Sequence, residues 1–486
     1  MAQLRRSIFI TFFSSNAMTA VQFGVTLVLA RLLTPAEVGI FSITSVVIGI
    51  ASVFRDFGVS SYLQSERVLT PEKIRAALGL LITTSWFLAA ALFFSSDFIG
   101  RYYEQPAIAS VMRVLTISFV MIPFASFFHA LLTRDMEAGK QAIVNAAGTF
   151  SYATTCIFLA YRGYGTMSLA WANVANVFTT IVIYFIFRPP GIALIPSLRG
   201  WRHPVNFGAG AILSNLLNHT YASIPDLVLG KLSGPHSVGL YSRANGLVGI
   251  FQQIAGPTMN YNALPYIAAN HHAKTPLGPI LYKATSYLTG FALPALVGTA
   301  VFAKEIILVL YGEAWTEAAP LVSILCASYG LRIGYSLCQP AMTAIGRPYL
   351  SAISSGSAII ARIALISLMG APDVMTFAIA LLIADILSAP VPALLMSRYL
   401  MFTVRQSMGA HLSSILVAIV CGAACILLQF VLPPTWPHIL RLLIVGLVGS
   451  ATWIASVLIF KHPLRVELVA MIKKIVPRKS VANIKS

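Results

Sequence analysis

Charged residues are scarce in this chain of 486 residues. They make up 10% of the sequence, whereas hydrophobic residues make up 57%, and a soluble domain carries roughly 25% charged residues. Polar groups this few could not cover the surface of a soluble core. The composition therefore excludes a soluble globular protein and indicates one that exposes apolar side chains to lipid. The apolar runs are about twenty residues long without alternation, which predicts membrane helices rather than strands.

Cysteines and catalytic motifs are also sparse. The five cysteines lie in apolar runs without the spacing of zinc ligands, so we interpret them as small buried side chains: Cys156, Cys326, Cys338, Cys421 and Cys425. The sequence contains no Gly-x-x-x-x-Gly-Lys-Ser/Thr, His-Glu-x-x-His or Gly-x-Ser-x-Gly motif. It therefore predicts a protein that is not an enzyme, with no metal site and no cofactor.

Fourteen apolar segments are long enough to cross a bilayer as helices. They cover residues 7–30, 39–63, 76–98, 109–132, 142–161, 165–188, 205–229, 238–266, 283–308, 319–345, 349–370, 374–397, 408–432 and 438–460. Of the 33 lysines and arginines, 22 fall in or at the edges of the N-terminus, the even-numbered connections and the tail, and 6 in or at the edges of the opposite connections. Such an excess marks the cytoplasmic side, so both termini are predicted to be cytoplasmic. This placement explains the net charge of +18 without nucleic acid.

A repeat relates two turns that lie far apart in the chain. Residues 29–42 read LARLLTPAEVGIFS, and residues 229–242 read LGKLSGPHSVGLYS. Leucine, proline, valine, glycine and serine match at equivalent positions, and each copy joins the first two spans of a six-helix set. Because six spans separate the copies, both sets are predicted to face the same way around a pseudo-two-fold axis along the membrane normal.

The repeat predicts an all-α integral membrane fold with two parallel six-helix lobes and two extra helices. We assign residues 1–190 to the first lobe, 191–204 to a cytoplasmic linker and 205–400 to the second lobe. Helices 13 and 14 follow in 401–460, and the basic tail 461–486 is predicted either to lie on anionic lipid or to be solvated. Parallel lobes of this kind are typical of a transporter whose cavity opens alternately to each side.

Ionisable side chains at membrane depth are candidates for function because burying them is costly. Arg332, Arg362 and Asp385 are each predicted near the midplane, from their distance along their spans. Tyr335 and Gln339 are predicted to follow Arg332 on the same helical face. These residues either line a cavity, or Asp385 forms a structural ion pair with one of the two arginines. The sequence does not choose between these interpretations.

Polar residues also occur in other spans. Asn215, Asn218 and Asp226 fall on one stripe of the seventh span, where they would bind sugar or bond to a neighbouring helix. A structural pair between Asp226 and Arg243 is predicted near the outer end. Arg55 lies near the cytoplasmic end of the second span, where it either meets an entering phosphate or anchors the helix at the interface.

Several motifs, taken together in order, resemble one family. They are Arg31-Leu-Leu-Thr-Pro-Ala-Glu37-Val-Gly39, Asp56-Phe-Gly58-Val-Ser-Ser, Leu132-Thr-Arg134-Asp-Met, Phe207-Gly208, Asp226, Gly239-Leu-Tyr-Ser-Arg243-Ala, Pro294, Leu310-Tyr-Gly312-Glu-Ala-Trp315 and Gly346-Arg347-Pro. Their order along the chain resembles that of the polysaccharide flippases of the multidrug/oligosaccharidyl-lipid/polysaccharide exporter superfamily. These are the Wzx-like O-antigen and exopolysaccharide exporters.

The resemblance implies a MATE-like fold and a function in the bacterial inner membrane. Lipid-linked oligosaccharides, typically on undecaprenyl diphosphate, would move from the cytoplasmic to the periplasmic leaflet by alternating access. It also implies that a polysaccharide polymerase and a chain-length regulator are partners. The alternative with the same fold is a cation-coupled MATE-type small-molecule exporter. A membrane glycosyltransferase is disfavoured, because no predicted loop is long enough for its acidic catalytic residues.

Overall fold

The computed structural model describes residues 2–56, 58–66, 68–188, 195–197, 201–369 and 373–475. Side chains at 2–9, 202–215, 251–262, 471–475 and a few single positions lie outside this description. The described residues form helices joined by short turns. These are α1 (Ala2–Leu32), α2 (Pro35–Asp56), α3 (Val59–Ser65), α4 (Pro71–Tyr102), α5 (Pro106–Arg134), α6 (Ala138–Tyr161), α7 (Thr166–Ile186), α8 (Arg202–Leu232), α9 (Gly234–His272), α10 (Leu277–Val301), α11 (Ala303–Leu310), a 3-10 helix (Glu313–Ala318), α12 (Ala319–Ile333), α13 (Cys338–Ala344), α14 (Pro348–Met369), α15 (Val374–Ser388), α16 (Pro390–Leu400), α17 (Val404–Val431), α18 (His438–Ile459) and α19 (Arg465–Ile475).

The prediction of an all-α membrane protein is confirmed for the part of the chain that the structure describes. Twelve helical stretches there are long and apolar enough to cross a bilayer. The seventh and eighth predicted spans fall in α8 and α9, which have 31 and 39 residues. Many side chains of these two helices lie outside the description, so the count of fourteen spans stays a prediction.

Four predicted spans are interrupted. The second span breaks between α2 and α3, where Gly58 has a φ of 71° that favours glycine. The ninth span breaks at Phe302, between α10 and α11. The tenth span breaks between Ile333 and Cys338, where backbone bonds such as Tyr335 N–H to Arg332 O (3.1 Å) form tight turns. The twelfth span breaks before Pro390, whose ring cannot continue an undisturbed helix. Interrupted helices at membrane depth expose backbone groups that a regular helix would use internally.

The two copies of the repeat contact each other. A methyl group on Gly39 would collide with the carbonyl group of Pro235, and one on Gly239 would collide with the carbonyl group of Pro35. These contacts are reciprocal between equivalent positions of the two copies, which is the signature of a local two-fold relationship. The glycines are required here because the two backbones approach more closely than any side chain permits. The predicted equivalence of the two turns is therefore confirmed at this contact.

The first copy starts its helix with a capping box. Thr34 N–H donates to Glu37 Oε2 at 2.8 Å, and Glu37 N–H donates to Thr34 Oγ1 at 3.4 Å. Pro35 takes the first position of α2, where its missing N–H costs nothing. The sequence Thr-Pro-Ala-Glu thus fixes where α2 begins, and with it the position of Gly39 against the second copy.

The described helices divide into two compact units. Unit one comprises Met1–Arg243, Leu310–Glu317 and Met369–Phe377, and unit two comprises Ala244–Val309, Ala318–Leu368 and Ala378–Ser486. In unit one, a core of buried side chains that includes Leu78, Leu81, Phe127 and Phe128 joins α3, α4, α5 and α7. In unit two, a core with Leu281, Met342, Met396 and Phe402 joins α10, α13 and α16. The predicted lobe boundaries at 190 and 205 stay a prediction.

Candidate functional site: arginines inside the membrane spans

Arg362 and Asp385 form an ion pair in the interior of unit two. Arg362 Nη2 lies 3.0 Å from Asp385 Oδ1, and the side chains are 4% and 2% exposed. Ser328 Oγ also donates a hydrogen bond to Asp385 Oδ2. The three residues come from α14, α15 and α12, so this network ties three helices together. The arginine neutralises the carboxylate. This is the structural ion pair that was one of the two interpretations of these residues.

Arg332 has a different setting in the same unit. Its side chain is half-buried in the last turn of α12, with Cζ 5.0 Å from the centre of the Tyr329 ring. Tyr329 O–H in turn donates to Asn245 Oδ1 at 3.2 Å. A cation over an aromatic face at a helix C-terminus is favourable, because the ring quadrupole and the helix dipole both attract it. Both arginines are predicted near the midplane, and the structure selects Arg362 as the ion-pair partner of Asp385.

Tyr335 and Gln339 do not continue the helical face of Arg332, which corrects the prediction. α12 ends at Ile333, and Gln339 follows in α13 with an exposed side chain. Tyr335 lies in the turn, with its ring centre 5.5 Å from that of His411 on α17. A methyl group on Gly334 would collide with His411, so α17 packs directly against the break. The expectation failed because it assumed one continuous helix.

Arg243 lies among aromatic rings in unit one. Its Cζ is 5.3 Å from the centre of the Trp315 ring and 5.9 Å from that of Tyr311. Trp315 is fully buried, and its Nε1–H donates to Ala30 O at 2.7 Å. Tyr152 on α6 lies within electrostatic range of the guanidinium. The segment 310–317, distant in sequence, thus supplies the rings that face this arginine.

The predicted pair between Asp226 and Arg243 is not formed. Among the ion pairs of the described residues, none joins these two side chains. Asp226 instead accepts a hydrogen bond from Ser42 Oγ at 3.2 Å. Buried Arg243 Nε has no hydrogen-bond partner within the described part of the chain. The pair fails because Trp315 and Tyr311 take the place beside the guanidinium that a carboxylate would occupy.

Arg55 is a second arginine of unit one that packs against an aromatic ring. Its side chain is half-buried near the end of α2, with Cζ 5.3 Å from the centre of the Phe119 ring. Its buried Nε also has no hydrogen-bond partner among the residues described. Both interpretations of Arg55, a contact with an entering phosphate and an anchor at the interface, stay predictions. Asn215 and Asn218, which are predicted either to bind sugar or to bond to a neighbouring helix, have side chains outside the described residues.

Several partners were not predicted from the sequence. Ser328 was not singled out, and the buried pair between Arg441 Nη1 and Glu305 Oε1 at 3.2 Å was not expected. No local signal marks Ser328, since serine is common in such spans. Tyr311 and Trp315 belong to a motif that carries the family resemblance. This motif is the signal that marks them as candidate neighbours of an arginine.

One protein family matches more than half of the chain in sequence. The family is described as polysaccharide biosynthesis protein, and the match covers residues 28–320. The chain belongs to this polysaccharide biosynthesis protein family. The matched region includes Arg55, Arg243 and Trp315.

Curated relatives of this family member are distant in sequence. The lipopolysaccharide biosynthesis protein WzxC of Escherichia coli (strain K12) is 24% identical over 304 residues, which cover 62% of the chain and 61% of that protein. The match thus spans less than two thirds of that relative. The teichuronic acid biosynthesis protein TuaB of Bacillus subtilis (strain 168) is 22% identical over 387 residues, or 78% of each chain.

Solved structures share the fold. The lipid II flippase MurJ in an inward closed conformation superposes with a TM-score of 0.76 at 15% identity, covering 95% of the chain and 99% of that structure. An inward-facing multidrug resistance MATE family transporter gives a TM-score of 0.61 at 14% identity, covering 81% and 94%. At such identities the likeness concerns the fold alone, and it supports the MATE-like fold that the family resemblance implies.

Proposed function

We propose that this protein is a flippase that translocates lipid-linked oligosaccharide units for surface polysaccharide synthesis. Its family and the names of its relatives support this proposal. The observation that carries it is the guanidinium of Arg243, which has a buried Nε without a hydrogen-bond partner, and aromatic rings but no carboxylate beside it, among the described residues. A cation held at membrane depth without a counter-ion is costly unless an anion visits it.

The surroundings of Arg243 suit a sugar linked through a diphosphate. The guanidinium offers planar donors for phosphate oxygens, and such charge-assisted bonds are stronger than neutral ones. Tyr311 and Trp315 offer flat apolar faces that pack against the apolar side of a sugar ring. Arg243 Nε is already desolvated, so a phosphate that reached it would gain a contact without displacing a protein partner.

Arg55 would provide a second phosphate-binding site at another depth in the membrane. The contact between Gly39 and Gly239 places these two residues, on α2 and α9, at the same depth. Arg55 lies about four helical turns beyond Gly39, whereas Arg243 lies about one turn beyond Gly239. At a rise of about 1.5 Å per residue, the two cations differ in depth by about 18 Å along the helix axes. An anion moving between them would travel over half of the hydrocarbon core.

The finer features of the proposal follow from the charge bias and the repeat. The protein would lie in the bacterial inner membrane with both termini in the cytoplasm, and its two repeat-related halves would alternate in access. A polysaccharide polymerase and a chain-length regulator would act on the delivered units, and anionic lipids would hold the basic tail. The energy source would act on the equilibrium between the two access states.

The alternative is a cation-coupled exporter of small molecules. Such a protein needs a carboxylate that faces its substrate. Asp385 is occupied by Arg362 and Ser328, whereas Asp226 has only the bond from Ser42 among its described contacts. Asp226 is therefore the residue on which the alternative depends.

Deletion of the gene in its host tests the proposal. We expect surface polysaccharide to be lost and its lipid-linked precursor to accumulate, as measured by mass spectrometry of lipid extracts. Re-expression of the wild-type chain should restore both. Unchanged polysaccharide and precursor, together with a new sensitivity to cationic drugs, would overturn the flippase and favour the exporter.

A further inference from the structure

An apolar groove runs down the surface of unit one between α6 and α7. Its volume is about 450 Å³, within the range of small-ligand sites. It is lined by Thr155, Leu159, Tyr164, Trp171, Ala175 and Phe178. Trp171 and Phe178 are 42% and 56% exposed, so the groove is open to its surroundings rather than enclosed. Both helices are candidate membrane spans, so this open apolar groove lies at the depth of lipid chains.

The depth of the groove matches one leaflet. Phe178 lies slightly more than three turns after Thr166, the first residue of α7, which places it about 18 Å from that end of the helix. The hydrocarbon core is about 30 Å thick, so one leaflet contributes about 15 Å. The groove thus extends from the interface to about the midplane. An acyl chain of a glycerophospholipid ends at this depth, whereas an isoprenoid carrier chain is several times longer.

A cation lies in the turn that joins α6 to α7, two residues before the lining residue Tyr164. Arg162 follows α6 directly, and its Cζ is 5.2 Å from the centre of the Phe158 ring. Its side chain is exposed, and no carboxylate pairs with it within the described part of the chain. It is also one of few basic residues on the side that the charge bias predicts to be periplasmic. Its place suits the phosphate of a lipid headgroup, with Tyr164 and Trp171 at interfacial depth.

We propose that the α6–α7 groove binds one acyl chain of an anionic glycerophospholipid in the periplasmic leaflet, with the lipid phosphate on Arg162. The bound lipid would cover the exposed aromatic side chains and act as part of the surface of unit one. The proposal does not depend on transport, so it stands or falls separately from the proposed function.

A matched pair of tryptophan variants tests the groove. Thr155 lines it, whereas Thr154 is exposed on the neighbouring face of the same helix. The full-length protein is purified in detergent and mixed with phosphatidylglycerol, and retained lipid is measured by native mass spectrometry. We expect Thr155→Trp to lower lipid retention at least about tenfold, because it removes several methylene contacts, and Thr154→Trp to leave it unchanged. Equal retention in the two variants would overturn the proposal.

The headgroup contact is tested in the same assay. Arg162→Gln should weaken retention about fivefold, since one interfacial cation contributes about this much, and Arg162→Lys should restore most of it. Arg101→Gln is the control, because Arg101 is another exposed arginine predicted on the same side. If Thr155→Trp does not fold, this comparison decides, and equal loss from Arg162→Gln and Arg101→Gln rejects the site. Retention of undecaprenyl phosphate in place of phosphatidylglycerol also rejects it.

Discussion

Arg362 and Arg243 are both arginines within predicted membrane spans, but their surroundings differ in kind. Arg362 has Asp385 at 3.0 Å and is 4% exposed. Arg243 has two aromatic rings within 6 Å and no carboxylate among the described residues. The first cation is neutralised by the fold itself, while the second keeps its charge available. Depth in the membrane alone therefore does not identify a substrate-binding residue.

The energetic reason lies in the cost of desolvating charge. A buried pair recovers much of that cost through mutual attraction, but leaving one partner alone is strongly destabilising. Aromatic rings recover less, since a cation–π contact is worth about 0.5–2 kcal/mol. Arg243 therefore lowers the stability of the fold, and selection for stability alone would not retain it. An arginine of this kind is expected to act on a ligand.

The largest effect is expected from Asp385→Ala. The substitution leaves Arg362 as a buried charge and should lower stability by about 3–5 kcal/mol. Thermal unfolding of the purified protein in detergent measures the loss. Asp97→Ala is the matched control, because Asp97 pairs with Arg113 at side-chain exposures of 62% and 43%, where a pair contributes about 0–1 kcal/mol. Equal effects of the two variants would show that burial does not distinguish the pairs.

The second prediction concerns Arg243→Gln. The precursor export rate should fall about 10- to 100-fold, because charge-assisted phosphate contacts of about 1.5–3 kcal/mol are lost. Stability should change by no more than about 1 kcal/mol, the cation–π contribution. Exposed Arg398→Gln serves as the control for both export and expression. Normal export by Arg243→Gln would show that Arg243 does not bind the substrate.

Ser328→Ala examines the paired site more gently. The variant removes one donor from the Asp385 carboxylate and leaves Arg362 in place, so a loss of about 1–2 kcal/mol is expected. Ser323→Ala on the same helix is the control, since Ser323 donates at 2.9 Å to the neutral carbonyl oxygen of Ala300. Thermal unfolding should show a smaller loss for Ser323→Ala. The reverse order would mean that Ser328 is not important to the network.

Trp315→Phe makes a similarly small change beside Arg243. The ring face toward Arg243 is kept, but the 2.7 Å bond from Trp315 Nε1–H to Ala30 O is lost. We expect a stability loss of about 0.5–1.5 kcal/mol and a smaller fall in export than Arg243→Gln causes. Unfolding curves and precursor export are measured on the same preparations. A larger export defect than that of Arg243→Gln would make the indole, not the guanidinium, the main contact.

The smallest expected effect is a difference in the pH at which the two units lose stability. His462 of unit two lies outside the membrane spans, and burial lowers the pKa of its imidazole below the ordinary value of 6.5. The folded protein then binds this proton less readily than the unfolded chain, so unit two should lose stability as the pH falls below about 6.5. In unit one, the Lys231 ammonium beside Glu104 lowers the pKa of that carboxyl, and the corresponding loss comes only at lower pH, below its ordinary value of 4.5.

The variant His462→Asn should flatten the response of thermal stability between pH 7 and about pH 5. His462 Nε2 contacts Ser414 Oγ at 3.1 Å, and asparagine can keep a polar contact there without titrating. An unchanged pH profile would show that another group controls the acid response.

Some features of the site were predictable and others were not. Arginines within apolar runs could be identified because the cost of burying a cation makes each of them conspicuous. Which arginine meets Asp385 could not be predicted, since Arg332 and Arg362 lie at similar expected depths. Trp315 and Arg243 lie far apart in the chain, and no local periodicity connects them. The break after Ile333 also escaped prediction, because a glycine within an apolar run does not by itself end a helix.

Composition and run length alone establish that this protein is helical and spans a membrane, because they decide which solvent each segment requires. The repeat likewise predicts that its two turns are equivalent, and their matching glycines permit the same close approach twice. Which buried charges are neutralised, by contrast, depends on the folded arrangement. Ion pairing depends on how helices rotate and pack, and the energies that set this are shared among residues far apart in the chain.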